Sequence, residues 1–314
     1  MRVLVTGAFG FIGTAVVRRL SLAGYEVVAL THQPPGTPVP ASPASEVVHA
    51  DICDVRAVGT AVAGVDAVCH LAAMSRVRES FDRPAEYHQV NAAGTKVIVD
   101  AARAKGDDVG QPVSFVQAST HAVYGMPQHQ PISEDTPLEP VSPYGRSKAE
   151  AEGTIAAAAR TGALSAVCLR LFNVAGATAD RTDTDQTRII PRTLAVAAGR
   201  AAYLGINGDG RAVRDFVHVE DVAAAFLLAL AACRRGGYAV YNVGATAASM
   251  LDVVAVAEQV TGRVIPVVHN PPKPEPKVVV ADSARISREL SWTPGHSSLT
   301  QIIGDAWKAF PDGL

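Results

Sequence analysis

Short apolar runs alternate with amphipathic stretches through the first 172 residues of the chain. Residues 2–7 (RVLVTG), 26–30 (EVVAL), 45–50 (SEVVHA), 66–72 (DAVCHLA), 113–119 (VSFVQAS) and 165–172 (SAVCLRLF) are continuously apolar rather than alternating. That is the pattern of strands covered on both faces. Between them, 11–23, 54–63, 84–105 and 143–160 carry helical spacing. Strand and helix in turn predict a doubly wound α/β domain around a parallel sheet. Residues 31–45, rich in proline and small residues, predict an exposed loop within that domain. Beyond 172 the runs shorten, with helices expected near 186–199, 219–233 and 249–261 and a proline-rich stretch at 270–277. The expected division is therefore 1–172, then a smaller C-terminal α/β substrate-binding domain over 173–314. Segments around 206–245 are expected to pack back on the first domain.

Of the 314 residues, 48% are hydrophobic, enough for a large core. The 28 basic and 30 acidic side chains nearly cancel, and no basic run suggests a nucleic-acid partner. No apolar run reaches the length of a membrane span, and the N-terminus enters a strand at once, so a cytoplasmic protein is expected. Cys53, Cys69, Cys168 and Cys233 lack metal-ligand spacing and are read as reduced core thiols. His218, Glu220 and Asp221 cluster in HVEDVA, but an acidic helix start accounts for them, and no metal site is expected.

GAFGFIG, with Gly7, Gly10 and Gly13, lies between the first strand and the first helix. Glycines there allow a pyrophosphate to approach the backbone, while the helix N-terminus offers free N–H groups. This makes the first domain a candidate Rossmann dinucleotide site. The second strand ends in Thr31-His32, where a carboxylate usually holds the adenosine ribose. Threonine neither captures both ribose hydroxyls nor repels a 2′-phosphate, so NAD and NADP are both allowed. The absence of a following arginine favours NAD. Asp51 has two readings: an acceptor for the adenine amino group, or a helix cap.

SPYGRSK places Tyr144 and Lys148 four apart on one helical face. A phenol near pKa ~10 is a poor base, and an adjacent ammonium stabilises its ionised form. Chance also supplies such pairs. The pairing gains weight from ASTHAVYG, 118–125, at the carboxyl end of a predicted strand, where Thr120 could share a substrate proton with Tyr144. Ser119 and Thr120 could otherwise simply cap a turn.

Taken jointly, TGAFGFIG, DICD, HLAA, VNAAGT, STHAVYG, SPYGRSK, LRLFNVAGA, GDGRAVRDFVHVEDVA, YNVGAT and VADSARISRELSW resemble the extended short-chain dehydrogenase/reductase family in its nucleotide-sugar epimerase/dehydratase branch. The resemblance covers nearly the whole chain. It implies NAD bound by Gly7, Phe9, Gly10, Phe11, Ile12 and Gly13, by Thr31, His32, Asp51 and Ile52, and by Leu71, Ala72, Ala73 and Asn91. Tyr144 and Lys148 would touch it too. Thr120, Tyr144 and Lys148 would be the catalytic trio, with Tyr144 taking the sugar 4-hydroxyl proton. Ser75, His121, Ala122, Asn173, Arg214, Lys273 and Val279 would line the nucleotide-sugar site, with a UDP-hexose as the substrate that the resemblance implies. Asn173 and Arg214 would meet its phosphates, although Arg214 could instead pair with Asp215 or Asp209. Relatives use the helices equivalent to 84–105 and 143–160 to form a homodimer.

Departures from the family pattern narrow the reaction. Many relatives hold the diphosphate with an arginine where this chain has Pro272 and Lys273, and a lysine after the fourth strand is replaced around Ser75-Arg76. Val279 stands where relatives gate the sugar's C2 substituent, and its small size leaves room for an N-acetyl group. A 4,6-dehydratase would need an Asp-Glu pair where His121 and Ala122 stand, and a decarboxylating relative would keep a glutamate at the second place. The expected activity is thus 4-epimerisation through a transient 4-keto sugar. An NAD(P)H-dependent 4-ketoreductase is the main alternative, and a non-catalytic cofactor-binding regulator is the alternative of another kind.

Overall fold

The computed structural model describes residues 1–179, 181–233 and 237–311. Strand β1 (Arg2–Thr6) leads into helix α1 (Phe11–Leu22), followed by β2 (Glu26–Thr31), β3 (Glu46–His49), α2 (Val55–Ala63) and β4 (Ala67–His70). Residues 32–45 form no regular element, as their proline content implies. Short helices α3 (Glu79–Asp82) and α4 (Pro84–Tyr87) precede a π turn at His88–Ala93, which continues into α5 (Gly94–Val109). The expected single helix over 84–105 is therefore interrupted, and it runs four residues further. At the interruption the side-chain amide of Asn91 is turned onto Met74 and Ser147, and the backbone carbonyl of Asn91 accepts from Thr95 Oγ1 at 2.6 Å.

Next come β5 (Val113–Thr120), a 3₁₀ turn at His121–Tyr124, α6 (Pro143–Arg160) and β6 (Leu164–Leu171). Helix α6 begins where its sequence dictates: Ser142 accepts from Gly145 N at 3.0 Å as N-cap, with Pro143 in the first turn. The remaining elements are β7 (Asn173–Ala175), β8 (Ala177–Thr178), β9 (Arg181–Thr182), α7 (Ile189–Ala197), β10 (Leu204–Asn207), β11 (Val213–His218), α8 (Val219–Cys233) and β12 (Tyr238–Val243). They end with β13 (Thr246–Ser249), α9 (Met250–Thr261), β14 (Val267–Asn270), β15 (Val278–Val279), α10 (Ala284–Leu290) and α11 (Leu299–Lys308).

Seven strands form one parallel sheet in the order β12-β6-β5-β4-β1-β2-β3. Its edge strand β12 comes from beyond residue 172, and α8 packs against α1 and beneath β5 and β6. Every residue of β4 and β6 is buried, which explains their unbroken apolar character. One face is filled by α1 and α8, including Val16, Leu20, Phe226 and Leu230, and the other by α2, α5 and α6, including Val58, Ile98 and Ile155. Strand order reverses between β1 and β4, so a crevice opens at their carboxyl ends, where open α/β sheets bind ligands. A second sheet joins β7, β11, β13 and β15, and β10 pairs with β14. Asp215, buried in β11, accepts from Ala245 N, Thr246 N and Ala281 N, so it ties the far ends of this unit to the main sheet.

Candidate active site

At the switch point the glycine turn has the form of a cradle. Gly7 has φ +65°, and a Cβ there would lie 2.8 Å from Ala72 N; one on Gly13 would lie 2.0 Å from Gly7 O. Neither position accepts a side chain, because the backbones of the two crossing segments nearly touch. Helix α1 has no side-chain cap at Gly10, and its first turn holds no acid. Its free N–H groups beside half-buried Phe11 and Ile12 therefore suit an anionic pyrophosphate, and the residues present fit a dinucleotide. Phe9 is half-buried in the turn, and Leu71, Ala72 and Ala73 are half-buried opposite it. The hydroxyl of Thr6 accepts from Leu71 N and Ala72 N, each at 3.1 Å, and fixes that second wall.

At the expected adenosine end, Thr31 is buried and accepts from Gln33 N, and His32 is exposed. Asp51 is exposed and accepts from Cys53 N at 2.9 Å. It does not cap α2; that role falls to Asp54, which accepts from Arg56 N and Ala57 N. Ile52 is buried against Gly94. Asn91 is fully buried, and its amide is taken up by both backbone groups of Met74 and by Ser147 Oγ, so it braces the 71–75 wall of the expected dinucleotide site.

Thr120, Tyr144 and Lys148 come together at the end of β5. Helix α6 approaches the 121–124 turn closely enough that a Cβ on Gly145 would meet Ala122 O at 2.5 Å, and this approach delivers Tyr144 to Thr120. Burial pushes the Tyr144 phenol above its ordinary pKa, while the nearby Thr120 hydroxyl and the Arg188 guanidinium pull it down. Tyr87 packs edge-on against Tyr144 with centroids 6.3 Å apart. Lys148 is 3% exposed, and burial pushes its pKa down to about 8 against the opposing pull of Cys168 and Glu152. Beneath it, Glu152 pairs with Arg170 at 2.7 Å and accepts from Ser119; Arg170 also donates to Tyr124 Oη at 2.8 Å. His70, one strand away, is fully buried, with its pKa lowered to about 3 by burial and by Lys148.

Toward the second unit, His121 stacks on Phe172, its Nδ1 is 3.3 Å from Leu171 O, and burial lowers its pKa to about 4. Ala122 is half-buried beside it. Asn173 donates to Asp215 O at 2.8 Å. Arg214, 17% exposed at its side chain, faces Glu275 at 3.5 Å; neither Asp209 nor Asp215 is its partner. Its neighbour in register, Val279, is 5% exposed and lies within a cluster with Val123, Tyr124, Ile132 and Phe172, so it is walled in by core residues. Lys273 and Ser75 are exposed, and Arg76 is turned onto Asp185 at 3.1 Å. The HVEDVA acids have structural partners: Glu220 accepts from Thr178, and Asp221 from Gly295 N, His296 N and Ser297 Oγ. Arg188, Tyr87 and the Glu152–Arg170 pair were not indicated by any sequence motif. Only the i+4 step from Lys148 to Glu152 pointed at one of them.

The comparisons with known proteins agree with this arrangement. A UDP-glucose 4-epimerase of Corynebacterium glutamicum is 34% identical over 100% of this chain and 97% of its own length. The solved UDP-glucose 4-epimerase of Brucella ovis, in complex with NAD, superposes with a TM-score of 0.90 at 32% identity, covering 100% of this chain and 98% of that one. That of Stenotrophomonas maltophila, with bound NAD and formylated UDP-arabinopyranose, gives 0.89 at 31% identity, covering 98% and 97%. Residues 3–244 match the model of the NAD dependent epimerase/dehydratase family. The family match and the full-length likeness converge, and the chain belongs to that family.

Proposed function

We propose that this protein is a nucleotide-sugar 4-epimerase that interconverts UDP-glucose and UDP-galactose using a retained NAD. The observation that carries the reading is Thr120 beside Tyr144, with buried Lys148 one helical turn on, in a site whose next two positions are His121 and Ala122. Bound in the glycine cradle, NAD supplies a reversible hydride acceptor for the sugar's C4. Tyr144 takes the 4-hydroxyl proton and returns it, with Thr120 placed to share that proton. The Lys148 ammonium and the Arg188 guanidinium favour the phenolate by charge. Arg214 and Asn173 stand on one side of the cleft to hold the diphosphate. Ala122 offers no acid or base for eliminating the 6-hydroxyl, so a 4-keto sugar formed here can only be reduced again.

The test is incubation of the purified protein with UDP-glucose and no added cofactor. Appearance of UDP-galactose supports the reading, and strict dependence on stoichiometric NADPH overturns it. A second reading, an NADPH-dependent 4-ketoreductase, is favoured by one observation, the neutral Thr31 at the end of β2. The same assay separates the two. We further propose a cytoplasmic homodimer. Its setting is supported by Cys53, Cys69, Cys168 and Cys233 all being free thiols, and the described helices include none long and apolar enough to cross a membrane. Its assembly is supported by the small residues along α5 and α6, and sedimentation at monomer mass would overturn it.

A further inference from the structure

Between Arg2 and Arg18 the chain carries no basic residue, so the glycine turn brings no cation of its own to an anionic ligand. One arrives from far along the sequence. Arg181, in the β8–β9 hairpin, donates from Nη2 to Phe9 O at 3.0 Å and from Nη1 to Thr14 Oγ1 at 3.1 Å. The Thr14 hydroxyl is itself a donor to Gly10 O at 2.9 Å, so it receives the guanidinium on a lone pair. The peptide joining Phe9 to Gly10 is thereby held at both ends: its carbonyl by Arg181, its N–H by Gly7 O at 3.0 Å. That peptide leads directly into the free N–H groups of α1. Holding it fixes the direction in which those donors point before any ligand arrives.

The hairpin that carries Arg181 is anchored in turn. Thr182 Oγ1 donates to Gly176 O at 2.9 Å, Thr178 Oγ1 donates to Glu220 at the start of α8 at 2.6 Å, and the hairpin packs on α8 and α11. The geometry points to Arg181 as a positioning residue that latches the glycine turn to the second unit and thereby slows escape of the dinucleotide. The inference rests on the proposed retained NAD: an enzyme that returns hydride to the sugar in every cycle loses its turnover if the cofactor leaves between steps. A guanidinium with two of its five N–H donors on the turn also leaves positive charge beside the pyrophosphate position.

The experiment is release of NAD after the loaded protein is diluted into excess ADP-ribose, with free NAD quantified by chromatography. Loss of two charge-assisted bonds predicts release at least about tenfold faster for Arg181→Met, with Arg181→Lys in between. Thr14→Val removes one of the two latch bonds and leaves the one to Phe9 O, so it should release less fast than Arg181→Met, and the double variant no faster than Arg181→Met alone. A purely structural role would lower the melting temperature of the nucleotide-free protein and leave release unchanged. Release from both Arg181 variants within twofold of wild type overturns the latch, as do single-variant effects that multiply in the double variant. A wild-type protein that binds no NAD overturns the cofactor reading and the latch with it.

Discussion

Neutralising Glu152 tests how the buried charge network under the active site supports both stability and catalysis. Glu152 and Arg170 are 3% and 6% exposed at their side chains, and their oxygens and nitrogens meet at 2.7, 3.1 and 3.2 Å. Glu152→Gln keeps the shape but strips the guanidinium of its counter-ion, leaving Tyr124 Oη and Glu134 O as neutral acceptors. Removing one partner of a buried pair destabilises by about 3–5 kcal/mol. For a chain of this size, at about 2 °C per kcal/mol, the melting temperature should fall by about 6–10 °C in calorimetry. The same change removes the carboxylate that helps hold the Lys148 pKa up near 8. Its ammonium is then lost at lower pH, so the alkaline limb of the pH–rate profile moves toward neutrality. The control is Glu150→Gln, two residues earlier on the same helix, where the carboxylate is exposed and pairs only with His88. That variant should shift stability by less than about 0.5 kcal/mol. A Glu152→Gln protein that melts within 2 °C of wild type with an unmoved alkaline limb, on the scale set by about 2 °C per kcal/mol, would refute the network's role.

Other consequences are as direct. Tyr144→Phe should reduce turnover by about 10²–10⁴-fold while NAD content after purification stays at the wild-type level; retained turnover would remove Tyr144 as the base. Gly13→Ala places a methyl against Gly7 O, so urea unfolding should show a loss of about 1–3 kcal/mol and the purified protein should carry little nucleotide. A variant with wild-type nucleotide content would show that the cradle is not where the pyrophosphate lies. His70 and His121 are held neutral, with folded pKa values near 3 and 4, whereas the unfolded chain takes up those protons near pH ~6.5. Their stabilisation is complete above about pH 6.5 and is lost as pH falls toward the folded values, on the order of 3 kcal/mol by pH 5 for the two together. His70→Asn should remove about half of that slope, and equal stability at pH 6.5 and pH 5 in urea titrations would contradict the burial of two neutral imidazoles.

Features set by local spacing were legible in the sequence. The glycine turn, the buried strands and the Tyr144–Lys148 face follow from periods of two to four residues, and the described boundaries of α6 match the expected 143–160. What could not be read came from residues brought together across long stretches of chain. Arg181 meets Thr14 across 167 positions, and nothing in either local pattern marks the pair. The π turn at Asn91 was not legible either, because it absorbs one extra residue without disturbing the apolar spacing; there the Asn91 amide meets Met74. For Arg214 the alternative to a diphosphate contact was a pair with Asp215 or Asp209, but Asp215 points to the backbone of Ala245 and Ala281, and Arg214 faces Glu275 on another loop. Val279 shows the same limit: its size was readable, while the core cluster around it depends on segments near 123, 132 and 172.

The central claim is transient oxidation at C4 of the sugar followed by return of the same hydrogen to the other face. Its most direct test is conversion of UDP-glucose carrying deuterium at C4, in ordinary water, with no cofactor added. The account predicts UDP-galactose with the deuterium retained at C4. Product that has exchanged its C4 label with solvent, or no product without added NADPH, would contradict it.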